Sequence, residues 1–271
     1  MNGASREALA AARESLDALT DNTSVDAAKL AEELAAVTAL LQREVSLRRV
    51  LTDPSQAGEA RAELAGRLLR GQVGSETVDL ISGMVRSRWS QSRDLVDSVE
   101  ELANIADLTA AQRSGDLDDV EDELFRFGRI VASDKELRAA LTNRSASAAA
   151  KGQLLRSLLG GKARPATERL VTRLVTQPRG RSLEEGLESL SKLAADRRQR
   201  MVAVVTSAVP LSDRQKQRLG AALAKIYGRP MHLNLDVDPT VLGGIAVRVG
   251  DEVINGTISE RLEEATRRMA G

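Results

Sequence analysis

Shifting the chain against itself by 90 residues aligns Asp26–Arg86 with Asp116–Thr176 and returns 16 identities in 61 positions, so any fold has to serve one pattern twice. Leu34, Leu47, Leu51, Leu64, Leu68, Leu69, Leu80 and Val85 fall on Leu124, Leu137, Leu141, Leu154, Leu158, Leu159, Leu170 and Val175. Leu51-Thr52-Asp53 falls on Leu141-Thr142-Asn143, so a break in the pattern is matched along with its apolar positions. Two Leu/Ala-rich amphipathic stretches would align through period alone, but the polar matches Arg48/Arg138 and Thr77/Thr167 need no period. After a slip of two residues, Val99, Leu102 and Ile105 face Leu187, Leu190 and Leu193. The reading is a duplicated helical bundle.

The repeat unit is helical. Leu9, Leu16 and Leu19, then Leu30, Leu34, Val37 and Leu41, recur at the three-and-four spacing of one helix face, and residues 5 to about 200 keep this texture. Punctuation residues place breaks at Asp21–Ser24, Asp53–Ser55, Gly71–Ser75, Ser114–Asp116, Gly160–Pro165 and Pro178–Ser182. Thr109 with Gln112, and Ser182 with Glu185, have the spacing of reciprocal capping boxes.

From Met201 the texture changes. Met201–Val209 is rich in β-branched residues and stops at Pro210, as a strand would. Ser212 with Gln215 opens a helix carrying Leu219, Leu223 and Ile226, and residues 232–238 alternate as a second strand. Residues 245–249 and 252–255 flank Gly250-Asp251, a two-residue hairpin turn. Thr257, paired with Glu260, opens a last helix with Ile258, Leu262, Ala265 and Met269 on one face. The expected fold is mostly α with a small C-terminal α/β domain: bundles over 1–107 and 108–200, then a β-α-β-β-β-α domain over 201–271.

Composition removes whole classes of function. With no cysteine and one histidine, His232, the chain cannot build a disulfide, a thiolate metal site or a multi-histidine zinc centre. Trp89, Phe125, Phe127 and Tyr227 are too few for base-stacking platforms, and 39 Lys plus Arg cancel 39 Asp plus Glu, which argues against nucleic acid. The least polar run, Met201–Leu211, is 11 residues, well short of the roughly 20 that span a bilayer. Charges at Arg6, Glu7, Arg13 and Glu14 break any export signal, so the N-x-Ser/Thr triplets at Asn22, Asn143 and Asn255 read as chance.

The C-terminal residues carry a family resemblance: Val-Thr-Ser-Ala-Val-Pro-Leu-Ser at 205–212, Val-Asp-Pro at 237–239, Leu-Gly-Gly-Ile at 242–245 and Val-Gly-Asp-Glu-Val-Ile-Asn-Gly-Thr-Ile at 249–258. In this order they resemble the C-terminal region of the delta subunit family of F-type ATP synthases, relatives of the mitochondrial oligomycin-sensitivity-conferral protein. Residues 116–200 look like the helices that precede this region in the family, and Ser5–Thr20 resembles its first helix. Asn255 and Thr257 stand where the family usually has Asp and Ser, and one bundle of about 90 residues is extra. The resemblance implies a non-catalytic peripheral-stalk subunit. It would join the N-terminal helix of an alpha subunit to the end of the b subunit, at the cytoplasmic face of the membrane and without inserting into it.

The chain offers little for other chemistry. Gly160-Gly161-Lys162 has Arg156 and Ala163 where a phosphate loop needs Gly and Ser/Thr. His232 has no relay partner at useful spacing, Gly243-Gly244 reads as a backbone bend, and Arg197-Arg198-Gln199-Arg200 suits the negative end of a helix dipole. No catalytic, cofactor or metal-binding residue is assigned. A helical-repeat scaffold unrelated to ATP synthase accounts for the bundles but not for the C-terminal motif string. For the alpha subunit, the expected receptor is the first bundle, because Thr109–Arg113 is too short to open the second with a full helix.

Overall fold

The computed structural model describes residues 1–199, 201–227, 231–238, 244–249 and 252–255. The described chain is mostly helical, with a small mixed sheet near its C-terminal end. It falls into two compact units, Met1–Thr20 with Val25–Arg197, and Asp21–Ser24 with Arg198–Gly271.

The helical unit runs through α1 (Gly3–Asp21), α2 (Ala27–Arg43), α3 (Val45–Leu51), α4 (Gly58–Leu69), α5 (Ser75–Arg86) and α6 (Ser92–Ser114). It continues through α7 (Leu117–Ser133), α8 (Lys135–Thr142), α9 (Ala148–Leu159), α10 (Pro165–Thr176) and α11 (Leu183–Gln199). Helices α2, α4 and α5 begin and end 90 residues before α7, α9 and α10. Two separate apolar cores result, one around Leu16, Leu34, Leu80 and Leu95, the other around Leu124, Leu155, Leu170 and Leu190.

Burial follows the self-match at most of the matched leucines, though Thr52 is buried where Thr142 is exposed. Leu34 and Leu124 are both fully buried, Leu51 and Leu141 are buried, and Leu64 and Leu154 are half-buried against their respective cores. Leu68 and Leu158 are both exposed. The polar details repeat too. Thr77 Oγ1 donates to Glu33 Oε2 at 2.5 Å and Thr167 Oγ1 to Glu123 Oε2 at 2.6 Å. The same carboxylates accept the amides of Gly74 at 3.0 Å and Arg164 at 2.9 Å, so each caps the start of α5 or α10 from the helix 41 residues earlier.

Helix α6 belongs to both cores. It is about 35 Å long at 1.5 Å per residue. Leu95, Val99, Leu102 and Ala106 enter the first core, while Leu108 and Ala111 enter the second. Residues 93–111 of α6 lie 90 positions after α1, so one helix closes the first set and opens the second. The expected cap at Thr109 is therefore corrected: Thr109 is buried inside α6, and its hydroxyl donates to the Ile105 carbonyl at 2.7 Å. Nothing in Ser92–Ser114 breaks a helix until Gly115, which takes the left-handed φ of 78° at the C-cap. Two breaks without Gly or Pro fall at Glu44 and Asp134, and Asp134 makes its own by accepting the amides of Glu136 and Leu137. The box at Ser182 forms as expected, with Glu185 N donating to Ser182 Oγ at 3.0 Å and Ser182 N to Glu185 Oε2 at 3.2 Å.

The second unit contains β1 (Met201–Ser207), α12 (Asp213–Tyr227), β2 (Met231–Val237), β3 (Ile245–Val249) and β4 (Glu252–Asn255), in sheet order β2-β1-β3-β4. β1 and β2 run parallel with Met201 opposite Met231, a pairing that needs the α12 crossover. β3 lies antiparallel to both β1 and β4. Val205, Leu223, Leu233, Val247 and Val249 form its core. Ser212 meets Gln215 as expected, its amide donating to Gln215 Oε1 at 2.9 Å. Val249 pairs with Glu252, leaving two residues for the turn; that turn and the expected helix from Thr257 lie outside the described residues.

Candidate functional site

The residues singled out from sequence do not converge on a chemical site. His232 sits in β2 opposite Val202. Gly160-Gly161-Lys162 forms the turn between α9 and α10, with Gly161 at φ 68°. An anion at the start of α10 would find the Arg164 amide already donating to Glu123. Arg197 acts through an ion pair as well as through position: it contacts Asp17 of α1 at 2.9 Å and donates to Gln112 at 2.8 Å. Gly244 takes φ 87°, in keeping with a backbone bend. Among the described residues no group of three or more His, Asp or Glu is placed to hold a metal. No described helix is long and apolar enough to cross a membrane.

What the fold does build is a groove between α1 and α5. Its volume is about 260 Å³, and Ala8, Ala11, Ala12, Ser15, Leu80, Gly83 and Met84 line it. Ala, Ser and Gly on facing helices keep side chains short, which leaves the groove above Leu80 and Met84, themselves buried in the first core. A Cβ added to Gly83 would meet no atom within 4 Å, which shows how open that wall is.

The same place in the second set is chemically different. Gly83 is matched by Arg173 and Asp79 by Arg169. Both guanidinium groups cross from α10 to the fully buried Asp107 on α6, Arg169 Nε at 2.6 Å and Arg173 Nη2 at 2.7 Å, and Arg173 also donates to Asn104. A cavity of about 250 Å³ remains beside this bridge, walled by Arg93, Asp97, Glu100 and Arg181 and also by Leu170, Leu174, Leu190 and Leu193.

A buried ionic cluster joins the α10–α11 loop to α6. Arg179 stands 90 positions after Trp89. Trp89 inserts into the first core and donates Nε1–H to the Met84 carbonyl at 2.8 Å. Arg179 instead enters between Asp97 and Glu100, reaching Glu100 at 3.2 Å with its backbone held at φ 52°. Burial, reinforced by Arg181, Arg93 and Arg48, lowers its pKa to about 10. Burial also raises the Glu100 carboxyl, against the pull of Arg181 at 2.5 Å.

The two sets differ in charge as well. Residues 1–107 carry 12 Lys/Arg against 18 Asp/Glu, and residues 108–200 carry 18 against 13. The balance of the whole chain conceals this polarity.

Comparison with known proteins completes the picture. Residues 105–269 match the family model described as ATP synthase delta (OSCP) subunit. The chain is 85% identical to the ATP synthase subunit delta of Streptomyces griseus over 271 residues, covering all of both chains. It is 79% identical to that of Streptomyces coelicolor, covering 100% of this chain and 98% of the relative. The protein of the same name from Thermobifida fusca is 49% identical, again over the full length of both. The family match begins inside α6 and so covers the second set from there and the C-terminal unit, while these relatives extend over both sets.

Proposed function

The chain belongs to the ATP synthase delta (OSCP) family, and from this we infer that it serves the ATP synthase complex as a non-catalytic stator subunit. When the rotor turns within the catalytic head, an equal reaction torque acts on the head. A connector that holds the head to the membrane sector keeps proton flow coupled to ATP synthesis. Such a connector sits peripherally, on the cytoplasmic face in a bacterial cell. The two helical cores are copies of one bundle, over residues 1–107 and 108–200, with α6 running across that boundary and serving both. The C-terminal domain, 201–271, receives the end of the b subunit.

The N-terminal helix of an alpha subunit docks in the α1–α5 groove. One observation supports this choice: the groove in the first set is open and lined mainly by small and apolar residues, with Asp79 its only charged one, whereas Arg169 and Arg173 bridge the equivalent seam in the second. Small residues let a helix backbone approach closely, and buried apolar anchors supply affinity. Helix α6 gives the second set a full opening helix, so completeness does not distinguish the two sets. The family match over 105–269 favours the second set as receptor, so the test must distinguish the two.

Gly83→Arg places in the first groove the residue found at its repeat position. The added side chain enters open space, so circular dichroism should be unchanged. A labelled peptide of the alpha N-terminus should bind the full chain at least about tenfold more weakly, a loss of about 1.4 kcal/mol. Unchanged affinity in Gly83→Arg, with a loss in Arg173→Ala, would assign the alpha subunit to the second set.

A further inference from the structure

Residues 137–167 contain Arg138, Arg144, Lys151, Arg156, Lys162 and Arg164 and no Asp or Glu. Their repeat counterpart, 47–77, carries Asp53, Glu59, Glu63 and Glu76, matched here by Asn143, Ala149, Gln153 and Ala166. Pro54, Gly66, Gln72 and Gly74 are matched by Arg144, Arg156, Lys162 and Arg164. Against these eight positions, Arg49, Arg67 and Arg70 are matched by Ala139, Ser157 and Gly160, so the two stretches carry five and six cations but four and no carboxylates, while Leu47, Leu51, Leu64, Leu68 and Leu69 are retained.

The segment comprises most of α8, the α8–α9 loop, α9 and the turn into α10. Three of its cations are engaged within the fold. Arg138 pairs with Glu184 at 3.5 Å, Arg164 with Asp116 at 3.0 Å and Asp119 at 2.5 Å, and Lys151 is buried. Arg144, Arg156 and Lys162 are exposed and make no ion pair among the described residues. They stand before α9, in its last turns and just after it, spread along a helix about 18 Å long. α9 has no acidic residue in its first turn where α4 has Glu59, so the positive end of its dipole adds to the field instead of being offset. Leu158, 37% exposed, falls between Arg156 and Lys162 in the sequence, near the end of α9.

We propose that the outer face of α9 is a docking surface for an acidic, partly apolar segment of a protein partner, separate from the α1–α5 groove. Complementary charge steers such a segment and fixes its register, and Leu158 gives it an apolar contact. The stretch contains no aromatic residue, so it has no platform for stacking bases. The inference stands on the charge distribution and does not depend on where the alpha subunit binds.

The test uses the full chain and a fluorescein-labelled, Glu/Leu-patterned helical peptide, followed by anisotropy across a salt series. The parent should bind it, with affinity falling as salt screens the contact. Arg144→Glu/Arg156→Glu/Lys162→Glu should weaken binding at least about tenfold, and the corresponding Gln triple should fall between. Arg43→Glu/Arg49→Glu/Arg67→Glu, the same charge change placed on the first set, should alter it by less than about twofold. Equal loss in both Glu triples would reduce the effect to net charge and overturn the proposal. So would a Lys/Leu peptide binding as well as the Glu/Leu one. An oligothymidylate or phosphatidylglycerol vesicles held at least as tightly through the same three cations would also overturn it, showing a general polyanion surface. Circular dichroism of each variant confirms that the helices persist.

Discussion

The first and second helical sets place leucines at the same depths and cap equivalent helices with equivalent glutamates, yet they differ in charge and in the helix seam beside each opening helix. Leu34/Leu124 and Glu33/Glu123 hold each set together from within. Gly83/Arg173 and Asp79/Arg169 decide whether a groove is open or bridged. Residues that specify the bundle and residues that specify its contacts therefore occupy different positions of one helix. On α5, Leu80 packs while Gly83 admits.

Breaking the bridge should give the largest effect. Asp107→Ala leaves Arg173, 8% exposed, and Arg169 without their carboxylate, and unpairing a buried charge costs about 3–5 kcal/mol. Asp17→Ala, 90 positions earlier and 21% exposed, unpairs one guanidinium, Arg197, which is 4% exposed and still donates to Gln112, where Asp107→Ala unpairs two, and it should cost less. Urea unfolding followed by far-ultraviolet circular dichroism compares them. Equal losses would mean that the bridge contributes nothing particular to the second set.

Glu33→Gln and Glu123→Gln sharpen the comparison from the other side. Each weakens a charged acceptor for one amide and one threonine hydroxyl, at about 1–2 kcal/mol. The two midpoints should shift alike, and a shift in only one would show that the shared geometry is not shared energetics.

The smallest effect is a slope. Burial holds the folded-state pKa of Glu100 above its ordinary value of 4.5, so the folded state prefers the proton. Stability from this group is complete below the unfolded value and is lost as pH rises from there through the raised folded value. Glu100→Gln, which cannot ionise, should gain on the parent as pH rises through that window. Melting temperatures measured across it give the sign, and a parent that gains on the variant would refute the direction.

Much of this was legible in the chain because apolar period and capping chemistry are local. Ser182 and Glu185 are three residues apart, and the leucine ladder requires only counting. The same locality misled at Thr109: a capping pattern within an unbroken apolar run cannot open a helix that has already begun at Ser92. Glu44 and Asp134 break helices without Gly or Pro and were missed for that reason. The groove was invisible because Ala8 and Gly83 meet only through the fold and small residues carry no signature. Arg197 read as a helix-end cation because its partner, Asp17, lies 180 residues away. A net charge of zero concealed two sets of opposite sign.

Helix α6 also fixes how a chain of this kind can grow. Six helices surround each core, yet the described helices of this unit run only from α1 to α11, because one post serves two panels of the fence. Inserting a further panel would add five helices and 90 residues while leaving α1 and α11 with the neighbours they already have. Length is thereby uncoupled from the ends: the span between two fixed grips could be changed in whole steps without redesigning either grip.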